Sequence, residues 1–472
     1  MSIPAQKKFE TMDQDIFAKA SGDWNPMHMD PLAARRTQMG APVVHGMHTA
    51  LACLDVFAQA TRDLPVLSAI TVSFLKPVYV GDRVTFSMAR QSPPRLMAEV
   101  DGAKVMTIDL TLGVDNESGI QQKVSTDTAP MNHTPRVRSF AEIEKAVGKA
   151  EKMVIASASE KLFPNAARWI GARRVCGLAA LSTLVGMECP GLHSIFIGFA
   201  VNLVLEDSKD GLDYSVLSTD DRFQRIKLSV AGAGLKGVVD AAVRTPPVSQ
   251  AGLQEIATKI KPDSFSGQRV LVVGGSRGVG EYTAKAIAAG GGQVTVTYAV
   301  GVAEAQALAA EIKAFGGEAD LLHYDVRFPA APQLEKLKSP PTHIYYFATG
   351  RIFGRRGNEF SPLLYQEFYQ FYVAGFYDLC SALRKMTEKF SVFYPSSVAV
   401  TPEDRPKGMT EYAMAKAAGE LLCADMKWLL PGVEVCVKRL PRLRTDQTAT
   451  LVPVPGEASI DILLPMILEM QR

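Results

Sequence analysis

The chain has 472 residues, 47% of them hydrophobic and 21% charged, and a formal net charge of +2. That length suits roughly three domains with cores of their own, and the near-neutral balance gives no reason to expect a nucleic-acid partner. Cys53, Cys176, Cys189, Cys380, Cys423 and Cys436 show no CxxC spacing, so neither a disulfide framework nor a metal site is expected, and a reducing cytoplasm is the expected setting. The opening MSIPAQKKFE lacks the apolar stretch of a signal peptide. The longest apolar run, LHSIFIGFAVNLVL, is short for a bilayer span and reads as buried structure, so no membrane partner is expected.

Two segments rich in proline and small polar residues, TAPMNHTPRVRS and RTPPVSQAGLQEIATKIKPDSFSGQ, divide the chain into pieces of about 1–130, 137–245 and 264–472. In the first piece GMHTALACLDVFAQA has helical spacing, and SAITVSFLKPVYVGDRVTFSMA and RLMAEVDGAKVMTIDLTLGV alternate as antiparallel strands do. The second piece repeats that order. RRVCGLAALSTLVG reads as a helix, and SIFIGFAVNLVLED, LDYSVLSTDD, RFQRIKLSVAG and GVVDAAVR read as strands, which predicts an internal duplication. The third piece alternates strand and helix from RVLVVGGSRGVGEYTAKAIAAGG onward, the pattern of a parallel doubly wound sheet.

The segment FAKASGDWNPMHMDPLAA sets Asp23 and His28 five apart across Asn25-Pro26, which breaks a plain helix. Phe17, Ser21, Gly22, Asp23, Asn25, Pro26, His28 and Ala34 resemble the signature of the MaoC-like (R)-specific enoyl-CoA hydratases, with Met27 where Leu, Ile or Val is usual. Val44-His45-Gly46-Met47 and FLKPVYVGD extend the resemblance over about the first 130 residues. It implies a hot-dog fold and hydration of an enoyl thioester. Such a reaction needs one group to take a proton from water, one to deliver a proton to the alpha carbon, and a donor for charge building on the thioester oxygen. Asp23 beside His28 supplies both proton roles, and Gly46, heading a helix, offers an unpaired amide. Alone, either side chain reads more readily as an Asx turn or a satisfied polar group; together with VHGM they read as chemistry. Packing at the helix start explains His45 and His48, and Cys53 and Asp55 have no assigned role.

Residues 137–245 resemble a second, diverged hot-dog repeat, as in double hot-dog hydratases. No Asp-x-Asn-Pro-x-His occurs there, so the implied role is structural or substrate-binding. Cys189 and His193 read as buried or turn residues rather than as a nucleophile and its base.

From Arg269 the chain resembles the short-chain dehydrogenase/reductase family over about 200 residues. The loop Gly274-Gly275-Ser276-Arg277-Gly278-Val279-Gly280 follows a strand and opens a helix, where backbone can approach a pyrophosphate. The resemblance implies cofactor contacts at Gly274, Ser276, Gly278 and Gly280, an adenine contact at Asp325-Val326, and catalytic Tyr412 and Lys416 one helical turn apart. It also implies a substrate-polarising Ser397, with Ser396 the weaker choice. A cationic Lys416 would lower the Tyr412 pKa. No acid follows the second strand, QVTVTYAVG, while Arg277 could pair with a 2′-phosphate, so NADPH is expected over NAD. Two departures stand out: the family's Asn-Ala-Gly is Ala348-Thr349-Gly350, and Tyr372 replaces the helix asparagine of the proton relay.

A hydratase and a ketoreductase meet at the (R)-3-hydroxyacyl thioester. The expected chain is therefore a multidomain α+β and α/β protein, tandem hot-dog domains followed by a Rossmann-type doubly wound sheet, interconverting 3-oxoacyl, (R)-3-hydroxyacyl and trans-2-enoyl thioesters. Its acyl group would arrive on coenzyme A or a separate carrier, and a homodimer would form through the last domain. The competing readings are a hydratase with a non-reducing nucleotide-binding domain, and a non-catalytic acyl-CoA- or NADPH-binding assembly protein. GRIFGRRGN and RLPRLRT read as solvated faces, with coenzyme A phosphates as their alternative partner.

Overall fold

In the computed structural model, which describes residues 5–113, 134–153, 158–204, 211–354, 357, 359–449 and 458–471, the apolar spacing of GMHTALACLDVFAQA becomes a helix over Gly46–Ala60. Met47, Leu51, Leu54 and Phe57 on that helix are buried, each contributing about 1.5–3 kcal/mol by leaving water. Strands Leu67–Phe74, Arg83–Gln91, Pro94–Val100 and Ala103–Leu112 pair antiparallel in the same half. Their period-two pattern sends Val84, Phe86, Leu96, Ala98, Ile108 and Leu110 into the core shared with the helix.

The second half repeats the plan. Its helix, Ala172–Thr183, continues into one π-helical turn, Leu184–Glu188. Strands Ser194–Leu203, Leu235–Val243, Arg225–Gly232 and Leu212–Asp220 pair antiparallel in that spatial order. The halves join edge to edge: Leu67–Phe74 pairs antiparallel with Ser194–Leu203, Val72 opposite Phe199. One ten-stranded sheet and one apolar core result, so the pieces expected over 1–130 and 137–245 lie in a single compact unit that runs to Pro246. Two short strands, Ala5–Lys8 and Ala150–Met153, close the sheet edges. Their sequences, AQKK and AEKM, carry no strand pattern because a charged, short edge resists further pairing. Val114 of the expected strand pair RLMAEVDGAKVMTIDLTLGV, Leu205, Glu206 and Asp207 of the expected strand SIFIGFAVNLVLED, and residues 128–133 of the first expected linker, lie outside the described residues.

The second unit begins at Pro247. Six parallel strands lie in the order Ala319–His323, Gln293–Tyr298, Arg269–Val273, His343–Tyr346, Phe390–Ser397, Val433–Leu440. Apolar runs such as RVLVV are buried because both faces of a parallel sheet are covered, here by two separate cores. Strand order reverses between Arg269–Val273 and its neighbour His343–Tyr346, and at such a switch point a crevice opens beyond the strand ends. The stretch expected as the second linker packs into this unit, with Leu253 and Ile256 of the helix Leu253–Ala257 buried. Among the described residues no single helix is long and apolar enough to cross a membrane.

Candidate active sites

The helix Thr11–Ser21 stops at Gly22, whose φ of 89° ends it in a left-handed cap. Two nested Asx turns follow. Asp23 Oδ1 accepts the Asn25 amide at 3.1 Å, and Asn25 Oδ1 accepts the Met27 amide at 3.0 Å, capping the short helix Pro26–Met29. Asn25-Pro26 thus bends the chain so that Asp23 and His28 meet. A carboxylate oxygen of Asp23 and ring nitrogens of His28 and His45 lie within 4.8 Å of one another. His28 Nδ1 is 2.7 Å from the Val43 carbonyl, which can only accept, so Nδ1 carries the proton and Nε2 is left for chemistry.

The second half completes this site. Ser182 Oγ donates to Asp23 Oδ2 at 2.6 Å, and Asn25 Nδ2 donates to the Gly186 carbonyl at 2.7 Å. A Cβ at residue 186 would lie 2.5 Å from Asp23 Oδ1, so only glycine lets the π turn approach the carboxylate. Asp23 is 1% exposed. Burial raises its pKa above the ordinary carboxylate value, against the pull of His28, Ser182 and the Asn25 amide. Gly46 is the first residue of its helix, so its amide has no intrahelical acceptor, and a side chain there would press on Phe74 at 3.0 Å. Sequence reading missed Ser182 and Gly186, which stand in no motif. It also set aside His45, which contacts both Asp23 and His28. Cys189 is buried, which pushes its thiol up to about 11, and His193 is half-buried.

In the second unit the glycine loop opens the helix Gly278–Ala289 with Arg277 at its N-cap. A Cβ at residue 280 would sit 2.3 Å from the Gly274 carbonyl, so glycine is required for the loop to fold against its helix. The helix start leaves backbone amides without intrahelical acceptors, an arrangement that suits an anionic group such as a pyrophosphate. Ser276 is buried in the loop. Arg277 Nη1 is 3.5 Å from Asp446 Oδ2, so a nucleotide phosphate reaching it would compete with a carboxylate. Asp325 carries a bidentate pair with Arg327, 2.6 Å at its shortest; burial works to raise its carboxyl, but Arg327 outweighs that and holds it low. Val326 is buried, and its carbonyl accepts from Gln370 at 3.1 Å.

Tyr412 and Lys416 lie on the helix Thr410–Leu429, both buried. Burial pushes Tyr412 up to about 12, opposed by a hydrogen bond with Ser397. Ser396 points elsewhere, donating to Glu420 at 2.5 Å. Tyr412 is thus raised rather than lowered, burial being the largest cause, and the Lys416 ammonium has two other partners. Nζ donates to the Pro395 carbonyl at 2.5 Å and lies 3.9 Å from the Tyr372 ring centroid. Burial lowers Lys416 to about 7. Tyr372 sits in a π-helical turn, Gln370–Ala374. Its hydroxyl is 2.5 Å from Thr349 Oγ1, and its carbonyl accepts from Tyr394 at 2.8 Å. Of the basic clusters, Arg442 bonds the Thr448 carbonyl, while Arg355, Arg356 and Asn358 lie outside the described residues.

Fold and geometry define the class: a hot-dog-type unit in which a buried carboxylate meets a half-buried imidazole, and a Rossmann-type unit in which a Ser bonds a Tyr whose helix also carries a Lys. Residues 4–114 match the MaoC like domain, and residues 268–338 match short chain dehydrogenase. The chain therefore joins a MaoC-like domain to a short-chain dehydrogenase domain. It is 39% identical over 83 residues to the (R)-specific enoyl-CoA hydratase of Aeromonas caviae, covering 17% of this chain and 60% of that protein. It is 35% identical over 83 residues to the peroxisomal multifunctional enzyme type 2 of Mus musculus, covering 17% and 11%. The chain thus spans less than two thirds of either relative. A short chain dehydrogenase from Burkholderia cenocepacia J2315 in complex with NADP aligns at 26% identity and a TM-score of 0.34, over 39% of this chain and 78% of that one.

Proposed function

We propose that the protein hydrates trans-2-enoyl thioesters to (R)-3-hydroxyacyl thioesters and interconverts these with 3-oxoacyl thioesters, using NADPH. The observation that carries the reading is the Asp23 carboxylate beside the reactive edge of His28, with the Gly46 amide at a helix start. Between them Asp23 and His28 take one proton from water as its oxygen bonds to C3 and return one to C2, so no net proton is consumed. The Gly46 amide donates to the thioester oxygen as charge builds there. Coenzyme A, or a separate carrier, would bring the acyl group.

In the second unit the chemistry that a nicotinamide would supply, when bound, is gain or loss of a hydride. Tyr412 exchanges the proton on the substrate oxygen, Ser397 donates a hydrogen bond to it, and Lys416 supports the phenol. Gly274, Ser276, Gly278 and Gly280 would hold the pyrophosphate, Asp325 and Val326 the adenine, and Arg277 the 2′-phosphate. The exposed stripe Met414, Leu421 and Trp428, at seven-residue spacing on the Tyr412 helix, is the face on which a homodimer would form. Loss of crotonyl-CoA absorbance, and NADPH oxidation with acetoacetyl-CoA, test the two activities separately.

One observation favours a second reading, a hydratase attached to a nucleotide-binding domain that does not reduce. The Tyr372 carbonyl and hydroxyl are both already bonded, to Tyr394 and Thr349. Protein that binds NADPH yet oxidises none with any 3-oxoacyl thioester would establish it.

A further inference from the structure

His45 is fully buried and touches both members of the Asp23/His28 pair. Its Nε2 is 3.0 Å from the backbone oxygen of Asp23; that oxygen only accepts, so Nε2 carries the proton. Nδ1 is buried without a partner among the described residues. Protonating Nδ1 would bury an N–H with no acceptor. Burial, then the neighbouring His28, lower the His45 pKa well below the ordinary imidazole value, and His48 adds to them against the Asp23 carbonyl bond.

The same ring stacks on His28, with centroids 4.0 Å apart and 28° between planes. Val43 holds His28 at one edge only, which leaves the ring able to swing about that bond. His45 covers the face and removes that freedom. The Asp23 carbonyl belongs to the segment between the Gly22 cap and the Asx turn, so a donor fixed to it also sets the direction of the carboxylate. Phe17, 4.9 Å from His45, backs the stack on the side of the core.

We infer that His45 is a positioning residue for the Asp23/His28 pair, fixing the Asp23 backbone through Nε2–H and the plane of His28 through stacking. The inference rests on the hydratase reading above. Were His45 only filler at the helix start, another ring of similar size would serve as well.

The test uses the full chain and crotonyl-CoA. His45→Phe keeps a ring face and loses the donor, while His45→Gln restores a donor and loses the stack. The expected result is a kcat reduced about 10–100-fold in His45→Phe, the usual scale for a misplaced reacting group, with KM within about twofold and partial recovery in His45→Gln. A folded His45→Phe with wild-type kcat, or a loss confined to KM, would overturn the inference. A second measurement needs neither variants nor activity. Imidazole 15N shifts of wild-type His45 should show the Nε2–H tautomer without titration between about pH 5 and 8; titration in that range overturns the assignment. If wild-type protein never hydrates crotonyl-CoA, the hydratase reading fails, and the 15N shifts still decide the state of His45.

Discussion

The two sites meet a buried ionisable group in opposite ways. Around Asp23 the protein aims donors at the charge: the Asn25 amide and the Ser182 hydroxyl, with His28 alongside, although burial still raises the carboxyl. Around Lys416 it supplies a carbonyl and the face of Tyr372, and among the described residues no carboxylate bonds the ammonium, which burial lowers to about 7. A carboxylate lined with donors keeps a partner in either proton state. An amine lined with a carbonyl and an aromatic face keeps its place but readily gives up its charge. The first arrangement suits proton exchange with a neighbour, and the second makes positive charge near Tyr412 depend on pH around neutrality.

The sharpest way to break this contrast is to disable each site alone. Asp23→Asn or His28→Ala should lower hydration at least about a hundredfold, and Tyr412→Phe should do the same to 3-oxoacyl reduction, each leaving the other reaction intact. The two absorbance assays read them out, and a single variant that abolishes both reactions would defeat the separation.

The donor lining of Asp23 can be probed from the second half. In Gly186→Ala the new Cβ falls 2.5 Å from Asp23 Oδ1, and hydration should drop about 10–100-fold with reduction unchanged. A wild-type hydration rate would show that the π turn does not shape the site.

Arg277 offers a smaller effect. Arg277→Ala should weaken NADPH about tenfold or more, the scale of one charged hydrogen bond, and NADH far less. Asp446→Asn, which removes the carboxylate charge beside Arg277, should tighten NADPH. Equal losses for both nucleotides in fluorescence titrations would rule out the 2′-phosphate pairing.

The smallest effect is on stability. Because the folded pKa of Asp23 lies above the ordinary 3.8, the fold favours the protonated carboxyl. The stability this group contributes is full below that value and is lost as pH rises through the raised pKa. Asp23→Asn should therefore melt above wild type at pH 8, by about 2–4 °C per kcal/mol, with the gap closing toward pH 4. A gap that widens on acidification would reverse the assigned sign.

How much of each site could be read in advance depends on how local it is. Asp23, Asn25 and His28 stand within six residues, and two Asx turns are enough to bring them together, so a short motif carried the geometry. Ser182 and Gly186 lie about 160 residues away and act only because Leu67–Phe74 pairs with Ser194–Leu203. In sequence His45 reads as packing, because a histidine at a helix start has no pattern that separates filler from a ring stacked on its neighbour. In the second unit Ser396 and Ser397 are adjacent, and strand alternation decides between them by turning one to Glu420 and the other to Tyr412.

The sequence by itself determined what depends on neighbours along the chain. That includes the helical period of GMHTALACLDVFAQA, the apolar strands of the parallel sheet, the glycine loop ahead of its helix, and the Tyr412/Lys416 spacing of one turn. Only the tertiary structure decided that the two antiparallel halves share one sheet, that the second half closes over Asp23, that Asp446 faces Arg277, and that Lys416 donates to the Pro395 carbonyl. These are contacts between distant segments. They follow from edge pairing, burial and hydrogen-bond satisfaction across the fold, none of which leaves a periodic mark in the sequence.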